Sequence, residues 1–157
     1  MVERDTLIKD LNKYLDVSAC PEHNGLQVQG KNQISKIAFG VSATMALFKE
    51  AKKFGADMVI VHHGLFWNKV QTVTGVFGQR IAYLIKNDMN LAGFHLPLDK
   101  HKEIGNNACL AKLLKLKNLK PFGIYHGQEI GLIGKIAKSC DIKKIHELLK
   151  GEALFFG

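Results

Sequence analysis

A chain of 157 residues, 46% hydrophobic and 23% charged, is long enough for an ordinary core and excludes a disordered polymer. Its net charge of +8 raises nucleic-acid binding, but the lysines from Lys112 to Lys150 sit at helical spacing between apolar residues, with few aromatics to stack bases. They read as a solvated helix face, and no nucleic-acid partner is expected.

The start, Met1-Val2-Glu3-Arg4-Asp5, carries both signs of charge and does not read as a secretory leader. No apolar run approaches the ~20 residues needed to cross a bilayer, so no membrane partner is expected either. Cys20, Cys109 and Cys140 form no C-x-x-C pair and read as buried small hydrophobes. These features set the expected location in the cytoplasm.

In chain order, Leu7, Ile8, Leu11, Tyr14 and Leu15 repeat at the helix period and predict a helix over about 3–15. A loop with Pro21 and Asn24-Gly25 leads to the alternating segment Leu26 to Gln29. Ile37, Phe39 and Val41 alternate as a strand. Ser42 is then placed to cap a helix that buries Met45, Phe48 and Ala51 and ends at Gly55. Met58-Val59-Ile60-Val61 is a continuous apolar run, as in a strand covered on both faces. Phe77, Ile81, Leu84 and Ile85 mark a helix, Asn90 to Phe94 a strand, and Ala108 to Leu114 another helix. After Pro121, glycines 123, 127, 131 and 134 predict short pieces and an edge hairpin. Ile142, Ile145, Leu148 and Leu149 predict a last helix, capped by Ser139 or Asp141. The terminal Ala153-Leu154-Phe155-Phe156-Gly157 reads as a strand cut short, so the chain is expected to be a fragment. The β-α-β-α-β-α order predicts an α/β fold, a three-layer-like, mostly parallel sheet with crossover helices. It is read as one domain over 1–157, with 1–120 holding the best-defined units and 121–157 starting a middle region.

Ligands of such sheets gather at the carboxyl ends of the strands. One predicted strand there runs into His62-His63-Gly64, the other into His95, with Asp99 four residues on. Imidazole and carboxylate together suit zinc, iron(II), manganese, nickel or cobalt. Adjacent residues of an extended segment point to opposite sides. Either each histidine serves one of two ions about 3.5–4 Å apart, or one ligates while the other packs. The bland alternative is hydrogen-bonded loop histidines, with Asp99 as a turn cap. His23, His101, His126 and His146 receive that reading. His146-Glu147 fails as a zincin motif because Lys150 stands where the second histidine is needed.

Three strings occur in order: Asn24-Gly25-Leu26-Gln27-Val28-Gln29-Gly30, Val61-His62-His63-Gly64-Leu65-Phe66-Trp67, and His95-Leu96-Pro97-Leu98-Asp99-Lys100-His101 followed by Gly105-Asn106-Asn107. Together they resemble the family named for NGG-interacting factor three, also called GTP cyclohydrolase type-two homologues, and in particular its bacterial branch. The resemblance implies a toroidal homohexamer with two divalent ions per subunit. It implies that His62 and His63 each ligate a different ion and that Asp99 is a third ligand. His95 would lie beside them as second shell or proton shuttle, and His23, Asn24 and Gly25 would line the substrate site. It also implies a longer chain whose later half returns a His and a bridging Glu, so this chain corresponds to the N-terminal part, truncated relative to the two-part family fold. The functional expectation is a dinuclear-metal hydrolase acting on a nucleotide or phosphoester, cyclohydrolase-like. The alternatives are a non-catalytic metal-binding assembly or regulatory protein, and an inactive truncated homologue.

Overall fold

The structure is a computed structural model that describes residues 1–20, 22–136 and 142–150. Its contacts group into two units, Met1–Pro97 and Leu98–Gly157.

In the first unit, β1 (Val2–Glu3) leads into α1 (Arg4–Tyr14), followed by one 3-10 turn at Val17–Ala19. Then come β2 (Gly25–Val28), β3 (Gln33–Ile34), β4 (Ile37–Ser42), α2 (Met45–Lys53), β5 (Met58–His63), α3 (Gly75–Lys86) and β6 (Asn90–Gly93). The principal sheet has the order β2-β6-β5-β4. β4, β5 and β6 are mutually parallel, and β2 is antiparallel at the β6 edge. The mostly parallel sheet with helical crossovers is therefore present. β1 and β3 form a separate short antiparallel pair.

Burial explains the order. Val59 and Val61 of β5 are closed off against Phe48 and Ala51 of α2, Leu84 of α3 and Leu91 of β6. Filling such a strand with β-branched residues suits a pleat covered by helices. α2 ends at Gly55, whose φ of +69° is a left-handed turn that glycine adopts without strain. On β4, Phe39 and Val41 stay exposed at 73% and 47%.

Polar residues fasten the amino ends of the central strands. Asn90 is fully buried, and its Oδ1 accepts from the Gly30 N–H at 2.8 Å. Its Nδ2 donates to the carbonyls of Lys31 and Asp57 at 2.9 and 3.0 Å. The Asp57 carboxylate, also buried, accepts from the N–H groups of Ser35 and Lys36, the Ser35 hydroxyl and the Lys31 ammonium. Burial by itself pushes the Asp57 pKa up. The donors outweigh it and hold the carboxyl well below the usual carboxylate range.

The short α4 (Leu96–Lys100) carries the chain into the second unit. There α5 (Asn106–Leu113) precedes a long antiparallel pair, β7 (Leu116–Tyr125) and β8 (Gln128–Ile136), and α6 (Ile142–Lys150). The Asn107 side chain donates to the carbonyls of Asp99 and Ile130, fastening α5 to α4 and β8.

Four sequence expectations need correction. The cap of α2 is Thr44, whose hydroxyl accepts from the Leu47 N–H at 3.2 Å, because Ser42 is still inside β4. The glycine-rich stretch is two continuous strands that form their own sheet and not an edge of the main one. Pro121 sits within β7 opposite Leu132, which a strand of a two-stranded sheet tolerates. Lys117, Lys120 and Lys135 accordingly lie on strands, though they are exposed as expected. Cys20 is buried but Cys109 is exposed. Cys140, the caps Ser139 and Asp141, and the terminal run from Ala153 lie outside the described residues.

Candidate metal centre

β5 is two residues longer than its apolar run and includes both histidines. Its pairing with β6 stops at Val61↔Gly93, whereas pairing with β4 continues to Ser42↔His63. Beyond Val61 the strand is thus held on one side only, which frees it from a flat pleat. The two rings come together, with centroids 4.5 Å apart. β6 ends at Gly93, and His95 follows two residues later, its ring centroid 4.7 Å from that of His62 and 5.5 Å from that of His63.

Each of the three imidazoles offers one nitrogen, and these atoms lie within 4.8 Å of one another. Among the described residues this is the grouping of three or more metal-type side chains that occurs. All three histidines are half-buried, and His62 and His95 line a small open cleft. The donor chemistry fits a divalent transition metal and does not fit calcium, which takes oxygen ligands.

Around the histidines stands a second layer. The His95 Nδ1 is 2.8 Å from Glu22 Oε2, and the His95 N–H donates to Asn24 Oδ1 at 2.8 Å. The His63 Nδ1 lies 3.0 Å from the Ser42 hydroxyl. Trp67 meets the His95 ring edge-on at 5.0 Å and tilts toward His63 at 6.2 Å. Gln27 binds the loop after β5: its Oε1 accepts from the N–H groups of Leu65 and Phe66, and its Nε2 donates to the carbonyls of His23 and Phe66. A side chain at Gly64 would strike the Gln27 amide and push it off the hydrogen bonds that hold this loop.

The residues expected from sequence are distributed unevenly. His62, His63 and His95 come together, with His95 inside the donor group and not merely beside it. His23 and Asn24 line the cleft. Gly25 is buried at the start of β2 with φ +96°. Asp99 belongs to the second unit, where its carboxylate accepts from the Asn106 side chain at 2.8 Å. Glu22, Gln27 and Ser42 were not singled out as site residues from sequence. Glu22 lies 73 positions from His95, a separation at which no periodicity or spacing gives a signal.

The fold and the donor set define an α/β protein with a histidine metal-type site at the carboxyl edge of its sheet. The family model for Duf34/NIF3 (NGG1p interacting factor 3) matches residues 2–154, and the chain belongs to that family. It is 43% identical over 150 residues to the GTP cyclohydrolase 1 type 2 homolog of Pyrococcus abyssi, covering 94% of this chain and 60% of that protein. The protein of the same description from Escherichia coli K12 is 46% identical over 122 residues, covering 72% and 49%. Among solved structures, one described as protein ybgI, of unknown function, superposes with a TM-score of 0.84 at 36% identity, covering 96% of this chain and 60% of that one. Reduced HcgD from Methanocaldococcus jannaschii superposes at 0.81 with 27% identity and the same coverage. The chain thus spans about three fifths of the length of its longer-matching relatives. No helix among the described residues is long and apolar enough to cross a membrane.

Proposed function

We propose that this chain supplies the His62, His63 and Asp99 side of a two-metal hydrolase that acts on a nucleotide-like or other phosphorylated small molecule. The observation that carries the reading is the convergence of three imidazole nitrogens within 4.8 Å, two of them on residues that line an open cleft. The name shared by the curated relatives, GTP cyclohydrolase 1 type 2 homolog, agrees with a hydrolytic role on a purine nucleotide. Divalent ions at such a centre supply Lewis acidity and lower the pKa of a water toward neutrality.

The chain's own residues do the rest. His62 and His63, brought to one place by the end of β5, are the nitrogen ligands. Asp99 is the carboxylate ligand implied by its motif. His95 brings a third imidazole nitrogen to the same group. Trp67, half-buried beside His63 and His95, offers an aromatic wall to a planar substrate. The assembly proposed with this reading is a homohexamer in the cytoplasm, with no membrane or nucleic-acid partner.

The test is turnover by the purified full-length protein, stripped and reloaded with Zn²⁺ or Mn²⁺, on GTP, other nucleotides and phosphomonoesters. Metal-dependent hydrolysis is expected, and His62→Ala and His63→Ala should each remove it. Asp99→Ala should lower the bound metal measured by elemental analysis while leaving the unfolding midpoint nearly unchanged. Metal bound in full but no turnover on any of these substrates would overturn the hydrolase and favour a non-catalytic metal-binding protein. Unchanged metal content in Asp99→Ala would remove Asp99 from the ligand set.

A further inference from the structure

We infer that Glu22 is a positioning residue that fixes the tautomer and orientation of His95, so that Nε2 is the nitrogen His95 contributes to the cluster. The inference deepens the metal-centre reading and rests on it for the role of His95. The dyad itself rests only on the geometry of the first unit.

An ionised carboxylate can only accept hydrogen bonds. With Glu22 Oε2 at 2.8 Å from His95 Nδ1, the proton of a neutral His95 ring must therefore sit on Nδ1. The lone pair is then on Nε2, the other ring nitrogen. The orientation is over-determined. Asn24 Oδ1 holds the His95 main-chain N–H at 2.8 Å, and Glu22 Oε2 also accepts from the Leu96 N–H at 3.4 Å. The Trp67 ring stands edge-on against the imidazole, with planes at 87°. Glu22 itself is 15% exposed, shielded well enough for its hydrogen bond to outcompete water. A carboxylate behind a metal-facing histidine both sets its tautomer and makes it a stronger donor, and loss of such a partner typically costs 10- to 100-fold in metal affinity. Sequence proximity accounts for Glu22 beside Asn24, but nothing local requires its carboxylate to cross to His95.

The experiment has two arms on the whole chain. First, the ¹⁵N shifts of the metal-free protein, near pH 8, report which His95 nitrogen carries the proton. The expected state is a single Nδ1–H tautomer in the wild type and a mixture in Glu22→Ala. Second, Zn²⁺ affinity is measured for the wild type, Glu22→Gln, Glu22→Ala, His95→Ala and Glu22→Ala/His95→Ala. Glu22→Ala should lose roughly 10- to 100-fold. Glu22→Gln should lose less, because its amide oxygen can still accept from Nδ1–H. In the double variant the loss should not exceed that of His95→Ala alone, because the two act as one unit. A Nε2–H tautomer in the wild type overturns the inference, as do unchanged Zn²⁺ affinity in Glu22→Ala or losses that multiply in the double variant. If Glu22→Ala does not fold, the wild-type tautomer and the Glu22→Gln affinity still decide. None of these readouts depends on turnover, so failure of the hydrolase reading and failure of this one are distinguishable.

Discussion

At the scale of single residues, the contrast between Asp57 and Asn90 on one hand and the histidines on the other is one of satisfaction. Asn90 uses both its amide hydrogens and its oxygen on backbone partners, and Asp57 accepts from four donors. Deleting either leaves buried N–H or C=O groups without partners, and Asp57→Ala should cost about 2–3 kcal/mol. The acid dependence has a definite sign. Asp57 has its pKa depressed by folding, so its charge stabilises the native state above its unfolded pKa of about 3.9. That contribution declines as pH falls below this value toward the folded one. Urea midpoints measured between pH 7 and pH 3 should fall below about pH 4 in the wild type, and more gently in Asp57→Asn. An equally steep decline in both proteins would assign the acid sensitivity to other carboxylates.

At the scale of elements, α2 illustrates how a cap is won by position. Ser42 and Thr44 are both capable of capping, but Ser42 is committed to β4 and to His63, which leaves Thr44 to accept from the Leu47 N–H. Thr44→Ala should therefore destabilise by about 1 kcal/mol, seen as a lowered unfolding midpoint, whereas Ser42→Ala should leave the helix intact. The same comparison shows what the residues alone made legible. Apolar periodicity marked α1, α2, α3 and α5 and the strands β5 and β6, since each of these buries one stripe or a continuous run; it marked β4 as well, through an alternation whose Phe39 and Val41 are exposed. It misread the region around β7 and β8, because β7 is exposed along nearly its whole length, β8 has no fully buried residue, and their glycines look like breaks. The histidines were legible because strand ends in a parallel sheet are where ligands gather. Glu22, Ser42 and Gln27 were not, because the contacts that give them meaning, such as Gln27 to Leu65, cross tens of residues of chain.

At the scale of the whole molecule, burial is divided very unequally. Among the described residues, the buried hydrophobics of the second unit are Ala108 and Ala111, whereas the first unit buries Phe48, Met58, Leu84, Met89, Leu91 and Leu96, among others. Opening free energies follow buried apolar contact. Amide exchange should then be slowest in β5, β6, α2 and α3, approaching the rate of global unfolding, and distinctly faster in β7 and β8. Equal protection across both units would mean that the exposed hairpin is covered in solution, for which Phe122, Ile124 and Ile133 are the apolar residues available.

The double pairing of β5 has a consequence for how such a chain can change length. Met58 to Val61 are locked in register with β4 and with β6, and a strand's side chains alternate faces with a period of two. A single residue gained or lost within that run would shift His62 and His63 by one position, turning each to the opposite face, or would drag the valines on its other side out of the core. Five residues after His63, the exposed stretch 68–76 has neither constraint. The strand acts as a ruler, and insertions and deletions that spare the three imidazoles belong in that stretch, between Trp67 and the body of α3.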